Sequence, residues 1–265
     1  MLLAAACTSE PLPRDPDRLV VEGWIDSGSA PVVMVTSPVE ATDRSQQIEE
    51  LGQYLYYKAY VTVRDETSGE EVRLTARKDS RYLPPLIYTT DEMTGTPGHR
   101  YTLKVMYENR VAKATTVIPE PVPLKKVTVS PSEQSDTLYV ITAYFDDPSG
   151  YHRFFTQVEG HDTMYLPSVL SGQAASNRAG AVSVIRGFSL TETERTLLYR
   201  RGETVHIKFC AVEEIIWQYW DSYDALSTLG TYGFFPLSAN PPSNMTGAYG
   251  YWAGYGATYA TVTVE

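Results

Sequence analysis

The sequence predicts an all-β protein with two successive β-rich domains and one aromatic helix. Its 265 residues include 20 Tyr, 17 Pro and 18 Gly, a composition typical of strands joined by many turns. Short segments in which every second residue is apolar recur along the chain, and turn sequences separate them. Because 43% of the residues are hydrophobic, the chain can bury a sizeable core.

The first domain is predicted over residues 19–118. Its first strands are "LVVEGWI" (19–25) and "PVVMVTS" (31–37), and the turn sequence "DSGSA" separates them. A clear hairpin follows later, in which "YTLKVMY" (101–107) and "VAKATTVI" (111–118) flank the turn "ENR". About seven short strands within roughly 100 residues, without a strong helix signal, predict an immunoglobulin- or fibronectin-like β-sandwich.

The second domain is predicted over residues 124–265. The sequence "PEPVPL" (119–124) precedes it, and three prolines in six residues favour a stiff, extended linker. The domain contains further strand-like segments and one helix near residues 213–228, where aromatic and apolar residues repeat at helical spacing. A long loop rich in glycine and aromatic residues is expected over 229–257, and loops of this length are commonly functional.

Cys7 stands directly behind a short apolar run in the sequence "MLLAAAC". The pattern resembles a bacterial lipobox, in which the cysteine is acylated and becomes the mature N-terminus. We therefore predict that residues 1–18 comprise a signal-peptide remnant, the lipidation site Cys7 and a polar, proline-rich tether. A disulfide with Cys210 is the less favoured alternative, because two cysteines so far apart do not form a disulfide framework.

The charge of the chain limits its partners. The formal net charge is −10 at pH 7, and the sequence pI is about 5.0. Nucleic acids and anionic membrane surfaces attract basic proteins, so neither is expected as the main partner. No segment after the N-terminus approaches the ~20 consecutive apolar residues that a membrane-spanning helix needs.

Four segments of the chain carry a resemblance to a known family. In order, they are the start with "LVVEGWI", the passage "TPGHRYTLKV…ATTVIPEPVPL", the segment "FDDPSGYHRFF", and the run "EEIIWQYWDSYDALST…NPPSNMTGAYGYWAGYGA". In this order they resemble a family of Bacteroidetes outer-membrane lipoproteins catalogued as domain-of-unknown-function family 4249. The resemblance spans almost the whole chain, and the last segment is the most distinctive.

The resemblance implies a lipid-anchored protein on the cell-surface or periplasmic face of the outer membrane. Members of the family are often encoded beside TonB-dependent transporters, which implies a non-enzymatic accessory that binds a glycan or peptide nutrient and hands it on. The alternative is a structural or adhesive surface lipoprotein without a small-molecule ligand. The family supplies no catalytic residues and no cofactor.

The best candidates for ligand binding are aromatic residues of the expected loop. Aromatic faces offer a large contact area at low entropic cost, and they stack on sugar rings or fill peptide pockets. The candidate ligand-binding residues are Tyr232, Tyr249, Tyr251, Trp252 and Tyr255. The alternative is that the alternation around Tyr249 and Tyr251 belongs to a strand whose rings pack in the core.

The sequence contains no motif that predicts catalysis or metal binding. None of the HExxH, CxxC and G-x-S-x-G patterns occurs, and the four histidines form no tight ligand pair. The segment "FDDPSGY" (145–151) is typical of a turn, because it lacks the denser acidic spacing of calcium loops. We therefore expect no catalytic residue, no metal site and no cofactor.

Overall fold

The computed structural model confirms the all-β class. It describes residues 18–38, 54–133, 135–147, 150–168, 179–187, 197–231 and 241–265. These residues form fifteen strands and one helix. Within them, no helix combines the length and the apolar character that crossing a membrane requires.

The strands fall into an N-terminal and a C-terminal group. The first group consists of β1 (Leu19–Asp26), β2 (Val32–Thr36), β3 (Tyr60–Asp65), β4 (Glu71–Lys78), β5 (Leu86–Thr89), β6 (Arg100–Tyr107) and β7 (Arg110–Val117). The second consists of β8 (Leu124–Ser132), β9 (Ser135–Asp146), β10 (Tyr151–Val158), β11 (Leu166–Pro167), β12 (Ala179–Val184), β13 (Tyr199–Arg200), β14 (Thr204–Val212) and β15 (Ala248–Thr263), with α1 (Glu214–Thr231) before β15.

Eleven strands form one continuous sheet, in the order β11-β10-β14-β15-β1-β2-β5-β4-β3-β6-β7. Its N-terminal part folds over on itself as a β-sandwich around a first core. The first core includes Leu19, Val21, Val33, Val35, Val61, Val63, Leu74, Tyr88, Tyr101, Leu103, Val105 and Trp252. Along β3 and β6 the valines and leucines lie inward, as the sequence predicted, and Arg64, Arg100 and Lys104 are exposed, whereas Asp65 is buried.

A second, four-stranded sheet of β8, β9, β12 and β13 packs against β10 and β14. The second core between them includes Ile141, Ala143, Phe145, Phe154, Val182, Val184, Tyr199, Val205, Ile207 and Phe209. Helix α1 covers the other face of β10, β14 and β15. The third core lies beneath this helix and includes Phe155, Cys210, Val212, Ile216, Tyr219, Trp220, Tyr251 and Tyr255.

Strand β15 belongs to both halves of the fold. Its residues 248–255 pair in parallel with β1, and its residues 256–263 pair antiparallel with β14. Trp252 lies in the first core, although it follows the predicted linker by more than a hundred residues. The division into segments 19–118 and 124–265 stays a prediction about folding units, but the last strand of the second segment completes the first core.

The expected loop 229–257 is wrong at both ends, because α1 extends to Thr231 and residues from Ala248 onward form β15. Both faces of this strand are covered, by the first core on one side and by α1 on the other. Alternation of buried and exposed residues is therefore missing between Tyr251 and Ala257. The glycine, proline and aromatic content of the segment is what makes it resemble a loop in the sequence. Residues 232–240 of the expected loop lie outside the described part of the chain.

Small residues alternate with aromatic ones in β15 because neighbouring backbone lies directly against it. A Cβ atom on Gly254 would lie 2.4 Å from the carbonyl oxygen of Val117, and one on Gly250 would lie 2.0 Å from that of Val21. Gly250 also has a φ of +103°, which residues with a Cβ rarely adopt. The Gly254 N–H donates to Thr116 Oγ1 at 2.8 Å, so β15 is bonded to β7 at this point.

Helix α1 begins where the sequence placed its acidic first turn. The Glu213 carbonyl accepts hydrogen bonds from the N–H groups of Ile216 and Trp217. The Glu213 carboxylate accepts from Thr116 Oγ1 at 2.7 Å and from the Val117 N–H at 2.9 Å. One residue therefore fixes the start of the helix to the end of β7.

We predict that Trp252 is a main contributor to the stability of the first core. Trp252 is fully buried, and its Nε1 donates to the Tyr101 carbonyl at 3.0 Å. Trp252→Ala should lower the free energy of unfolding by about 3–5 kcal/mol, because it leaves a large cavity in the first core. Urea unfolding measures the change, and Tyr57→Ala, at a ring that is 48% exposed, is the control. Equal losses in the two variants would contradict this role.

Candidate functional site

The structure places three of the predicted ligand-binding residues in the interior. Tyr251 packs on Tyr219, with ring centroids 4.6 Å apart, and the Tyr255 hydroxyl accepts a hydrogen bond from Trp220 Nε1 at 2.9 Å. Trp252 points to the opposite side of β15, into the first core. The expectation that Tyr251, Trp252 and Tyr255 present ring faces to a ligand is therefore corrected, because both faces of their strand are buried.

The other predicted residues differ in their surroundings. Tyr249 is half-buried, and the guanidinium of Arg18 stacks on its ring at 4.9 Å from the centroid. Tyr232 and the predicted lipidation site Cys7 lie outside the described residues. Ligand binding by Tyr232 and Tyr249 and lipidation of Cys7 stay predictions.

A different group of aromatic residues lies where the two halves of the fold meet. We define the junction cluster as the partly exposed rings of Trp24, Tyr82, Tyr165 and Tyr259 together with the buried ion pair of Asp26 and Lys208. The residues come from strands β1, β14 and β15 and from the loops that precede β5 and β11. Neighbouring elements of the continuous sheet bring these distant parts of the chain together.

The ion pair forms the buried base of the junction cluster. Lys208 Nζ lies 2.7 Å from both carboxylate oxygens of Asp26, and both residues are buried. The ammonium group also lies over the rings of Tyr255 and Phe155, at 4.7 and 5.3 Å from their centroids. These contacts replace the water that the buried charges lose, because aromatic faces attract cations.

The aromatic rings surround this base. The Tyr259 hydroxyl donates to Asp26 Oδ2 at 3.0 Å, while 47% of the residue surface stays exposed. Tyr165 packs against Tyr259 with ring centroids 6.0 Å apart. Trp24 lies two residues before Asp26 on the same face of β1, and its ring is 6.0 Å from that of Tyr82.

The two loops of the cluster also touch each other. Thr163 Oγ1, two residues before Tyr165, donates to the carbonyl of Arg81 at 2.8 Å. The Arg81 guanidinium stacks on Tyr82 at 5.8 Å and pairs with Asp79. A loop of the N-terminal half and a loop of the C-terminal half therefore form one side of the cluster.

Electrostatics keep the cluster in a single protonation state at neutral pH. Burial alone would lower the pKa of Lys208, but the Asp26 carboxylate outweighs burial and raises that pKa above its usual value. Burial, and then the negative charge of Asp26, raise the pKa of Tyr259. Burial also raises the pKa values of Tyr82 and Tyr165. Lys208 therefore stays charged, and the phenols keep their protons.

In this state the groups of the junction cluster are a paired cation and protonated phenols. A protonated lysine held by a carboxylate is not a nucleophile, and phenols with raised pKa values are hydrogen-bond donors rather than bases. Ion pairing neutralises the base of the cluster, so the remaining recognition elements are ring faces and hydroxyl groups. Such groups recognise uncharged ring-bearing ligands, and ligand sites occur preferentially at interfaces between domains.

The histidine–carboxylate contacts of the described residues are isolated pairs, two between near neighbours in sequence and one between residues 34 positions apart. His152 lies 3.0 Å from Asp147, His161 lies 2.7 Å from Asp162, and His99 Nδ1 lies 2.7 Å from Asp65. Among the described residues, no group of three or more His, Cys, Asp or Glu side chains is arranged to hold a metal ion. Burial raises the pKa of the Cys210 thiol, which disfavours a reactive thiolate.

Sequence reasoning missed the junction cluster. Asp26 and Lys208 are 182 residues apart, and each stands in an alternating strand where a charged residue predicts a solvent-exposed face. The available signal was local: Trp24 and Asp26 share one face of "LVVEGWID", so a large ring and a carboxylate lie side by side. The sequence does not show that Lys208 covers this face of β1. Only the tertiary structure, in which β15 pairs with both β1 and β14, brings Lys208 to Asp26.

Comparisons with known proteins identify the family. Residues 8–260 match the family described as "Domain of unknown function (DUF4249)", so the chain belongs to this family. No curated protein matches the chain. Among solved structures, the crystal structure of chicken CNTN1 FN1-FN3 domains is similar to this chain, at 13% identity and a TM-score of 0.24. The match covers 72% of this chain and 57% of the other, and a TM-score this low carries no structural or functional inference.

We predict that the Asp26–Lys208 pair stabilises the contact between the N-terminal and C-terminal halves of the fold. Lys208→Met leaves a buried carboxylate without its cation, so the free energy of unfolding should fall by about 3–5 kcal/mol. The double variant Lys208→Met/Asp26→Leu should recover most of this loss, because apolar groups can replace a buried ion pair. Urea unfolding of the single and double variants measures both effects. A loss below about 1 kcal/mol for the single variant would show that the pair behaves like a solvated surface pair.

Proposed function

We propose that the protein is a non-enzymatic binding protein of the outer membrane. In this proposal a lipid on Cys7 anchors the chain, and the folded part binds substrate on behalf of a TonB-dependent nutrient transporter. The observation that carries the binding role is the junction cluster, where partly exposed aromatic rings surround a neutralised buried ion pair. The anchor, the location and the transporter rest on the sequence around Cys7 and on the family resemblance.

The chemistry of the junction cluster favours a glycan or a peptide with ring-bearing side chains as ligand. The rings of Trp24, Tyr82 and Tyr165 provide flat apolar faces, on which sugar rings and aromatic side chains stack. The hydroxyl groups of the tyrosines supply directional hydrogen bonds at the edge of these faces. The exposed guanidinium of Arg81 adds donors beside Tyr82.

A second candidate function is structural or adhesive. The continuous eleven-stranded sheet and the burial of Tyr251, Trp252 and Tyr255 favour this alternative, because a spacer needs an extended sheet and no exposed ligand-binding rings. In that case the junction cluster would serve only to hold the two halves together. The two functions differ in whether the exposed rings contribute to the affinity for a ligand.

Binding measurements on the junction cluster separate these candidates. The chain is screened by calorimetry against neutral oligosaccharides and aromatic peptides, and the tightest binder is then tested on variants. Tyr82→Ala and Tyr165→Ala should each weaken binding by about tenfold, since each removes one stacking face. Tyr57→Ala, an exposed ring outside the cluster, should leave the affinity unchanged. A failure of the whole panel to bind, or equal effects of all three variants, would favour the structural alternative.

Mass spectrometry of the native protein tests the anchor and the partner. The chain is purified from detergent-solubilised outer membrane, with a Cys7→Ser variant as the control. We expect a diacylglyceryl group on Cys7, a stoichiometric TonB-dependent transporter in the eluate, and release of the variant from the membrane fraction. Lipidated Cys7 without a transporter would contradict the uptake role and leave the anchor standing. An unmodified Cys7 would contradict the anchor.

A further inference from the structure

A row of positive charges crosses the outer face of the N-terminal sandwich. Arg73 on β4 pairs in register with Thr62 on β3, Thr62 with Lys104 on β6, and Lys104 with Lys113 on β7. Residues directly opposite each other in a sheet share one face, so Lys104 lies beside Lys113, and Arg73 lies one strand further along the same face, beyond the buried Thr62. We call Arg73, Lys104 and Lys113 the cation row.

The charges of the cation row are uncompensated within the described part of the chain. All three residues are exposed, and none of them has a carboxylate oxygen within 4.0 Å there. Nearby arginines differ, because Arg64 pairs with Glu66 and Glu71, and Arg77 pairs with Asp91. Like charges directly opposite each other destabilise a sheet, so Lys104 and Lys113 carry a local cost.

Protection of a sheet edge does not explain these lysines. Lysine commonly blocks edge strands against aggregation, but β6 lies between β3 and β7 and has no free edge. At Lys113 the outer edge of β7 is also paired. The Lys113 N–H donates to the Thr246 carbonyl at 3.0 Å, and the Thr246 N–H donates to the Lys113 carbonyl at 2.8 Å.

An apolar row runs beside the cation row on the same face. Tyr60 pairs in register with Met106, and Met106 pairs with Val111. Tyr60 on β3 is 40% exposed and Val111 on β7 is 52% exposed, and β6 with Met106 lies between these two strands. The Arg73 guanidinium stacks on the Tyr60 ring at 4.8 Å, so the two rows are in contact. The apolar row consists of Tyr60, Met106 and Val111.

We propose that this face binds an acidic, amphipathic segment of a partner protein. The two rows are two residues apart along each strand, about 7 Å, so one extended or helical segment can contact both. Its carboxylates would neutralise the cation row, and its apolar side chains would cover the apolar row. A chain of net charge −10 that concentrates unpaired cations on one flat face has a surface complementary to negative charge. The proposal does not depend on the junction cluster or on the ligand bound there.

Fluorescence anisotropy with a labelled amphipathic peptide of Glu and Leu tests the proposal on the full chain. The same peptide with Lys in place of Glu is the control probe, and vesicles containing phosphatidylglycerol test a lipid surface instead. Lys104→Gln/Lys113→Gln removes the charges of the row. Lys78→Gln/Lys126→Gln removes the same charge at exposed lysines elsewhere, and Tyr60→Ser weakens the apolar row.

The acidic peptide should bind the wild-type chain, and added salt should weaken it. Binding should fall by about tenfold in the Lys104/Lys113 variant and in Tyr60→Ser, and stay unchanged in the Lys78/Lys126 variant. The Lys104/Lys113 variant should melt at the same or a higher temperature, because a like-charge contact is lost.

Four results would overturn the proposal. They are absence of peptide binding, equal losses in both lysine pairs, binding of the vesicles in place of the peptide, and a melting temperature that falls only in the Lys104/Lys113 variant. Absence of peptide binding, or equal losses in both lysine pairs, would show that the cation row is not a specific binding surface. Binding of vesicles would indicate a membrane as the partner. A melting temperature that falls only in the Lys104/Lys113 variant would show that these lysines have a structural role.

Discussion

The fold depends on one strand that the two halves share. Strand β15 pairs first with β1 and then with β14, and it therefore carries the continuous sheet from the N-terminal to the C-terminal half. Backbone approaches it so closely at Gly250 and Gly254 that no side chain fits there. Its aromatic residues fill the first core on one side and the third core on the other. The segment that most resembled a binding loop is the central structural element.

Sharing this strand creates the polar junction. Asp26 lies at the end of β1, and Lys208 lies on β14, the strand on the opposite side of β15. Their side chains meet at a site that is almost inaccessible to solvent. Desolvation of two charges is costly, so the pair needs its short hydrogen bonds and the rings around the ammonium group. Tyr259, which donates a hydrogen bond to Asp26, and Tyr165, which packs on Tyr259, are partly exposed, so they connect the buried pair with the proposed binding surface.

Local sequence patterns predicted the elements that depend on near neighbours. The β6–β7 hairpin, the strands β3 and β14, and a helix that begins beside Glu213 all follow from spacing within about ten residues. The pairing of β15 with β1 and the Asp26–Lys208 pair join residues more than 180 positions apart, and spacing does not encode such contacts. A strand buried on both faces also loses the alternation by which strands are recognised.

The sequence by itself determined the all-β class, the position of the aromatic helix, the acidic character and the membership of a family with a recognisable order of motifs. The tertiary structure alone decided which aromatic residues are core and which are surface. Burial of a ring depends on how many layers cover its strand, and that number is a property of the assembled sheets rather than of any segment. For the same reason, the exposed rings of Tyr82, Tyr165 and Tyr259 lie in separate parts of the sequence and meet only at the junction.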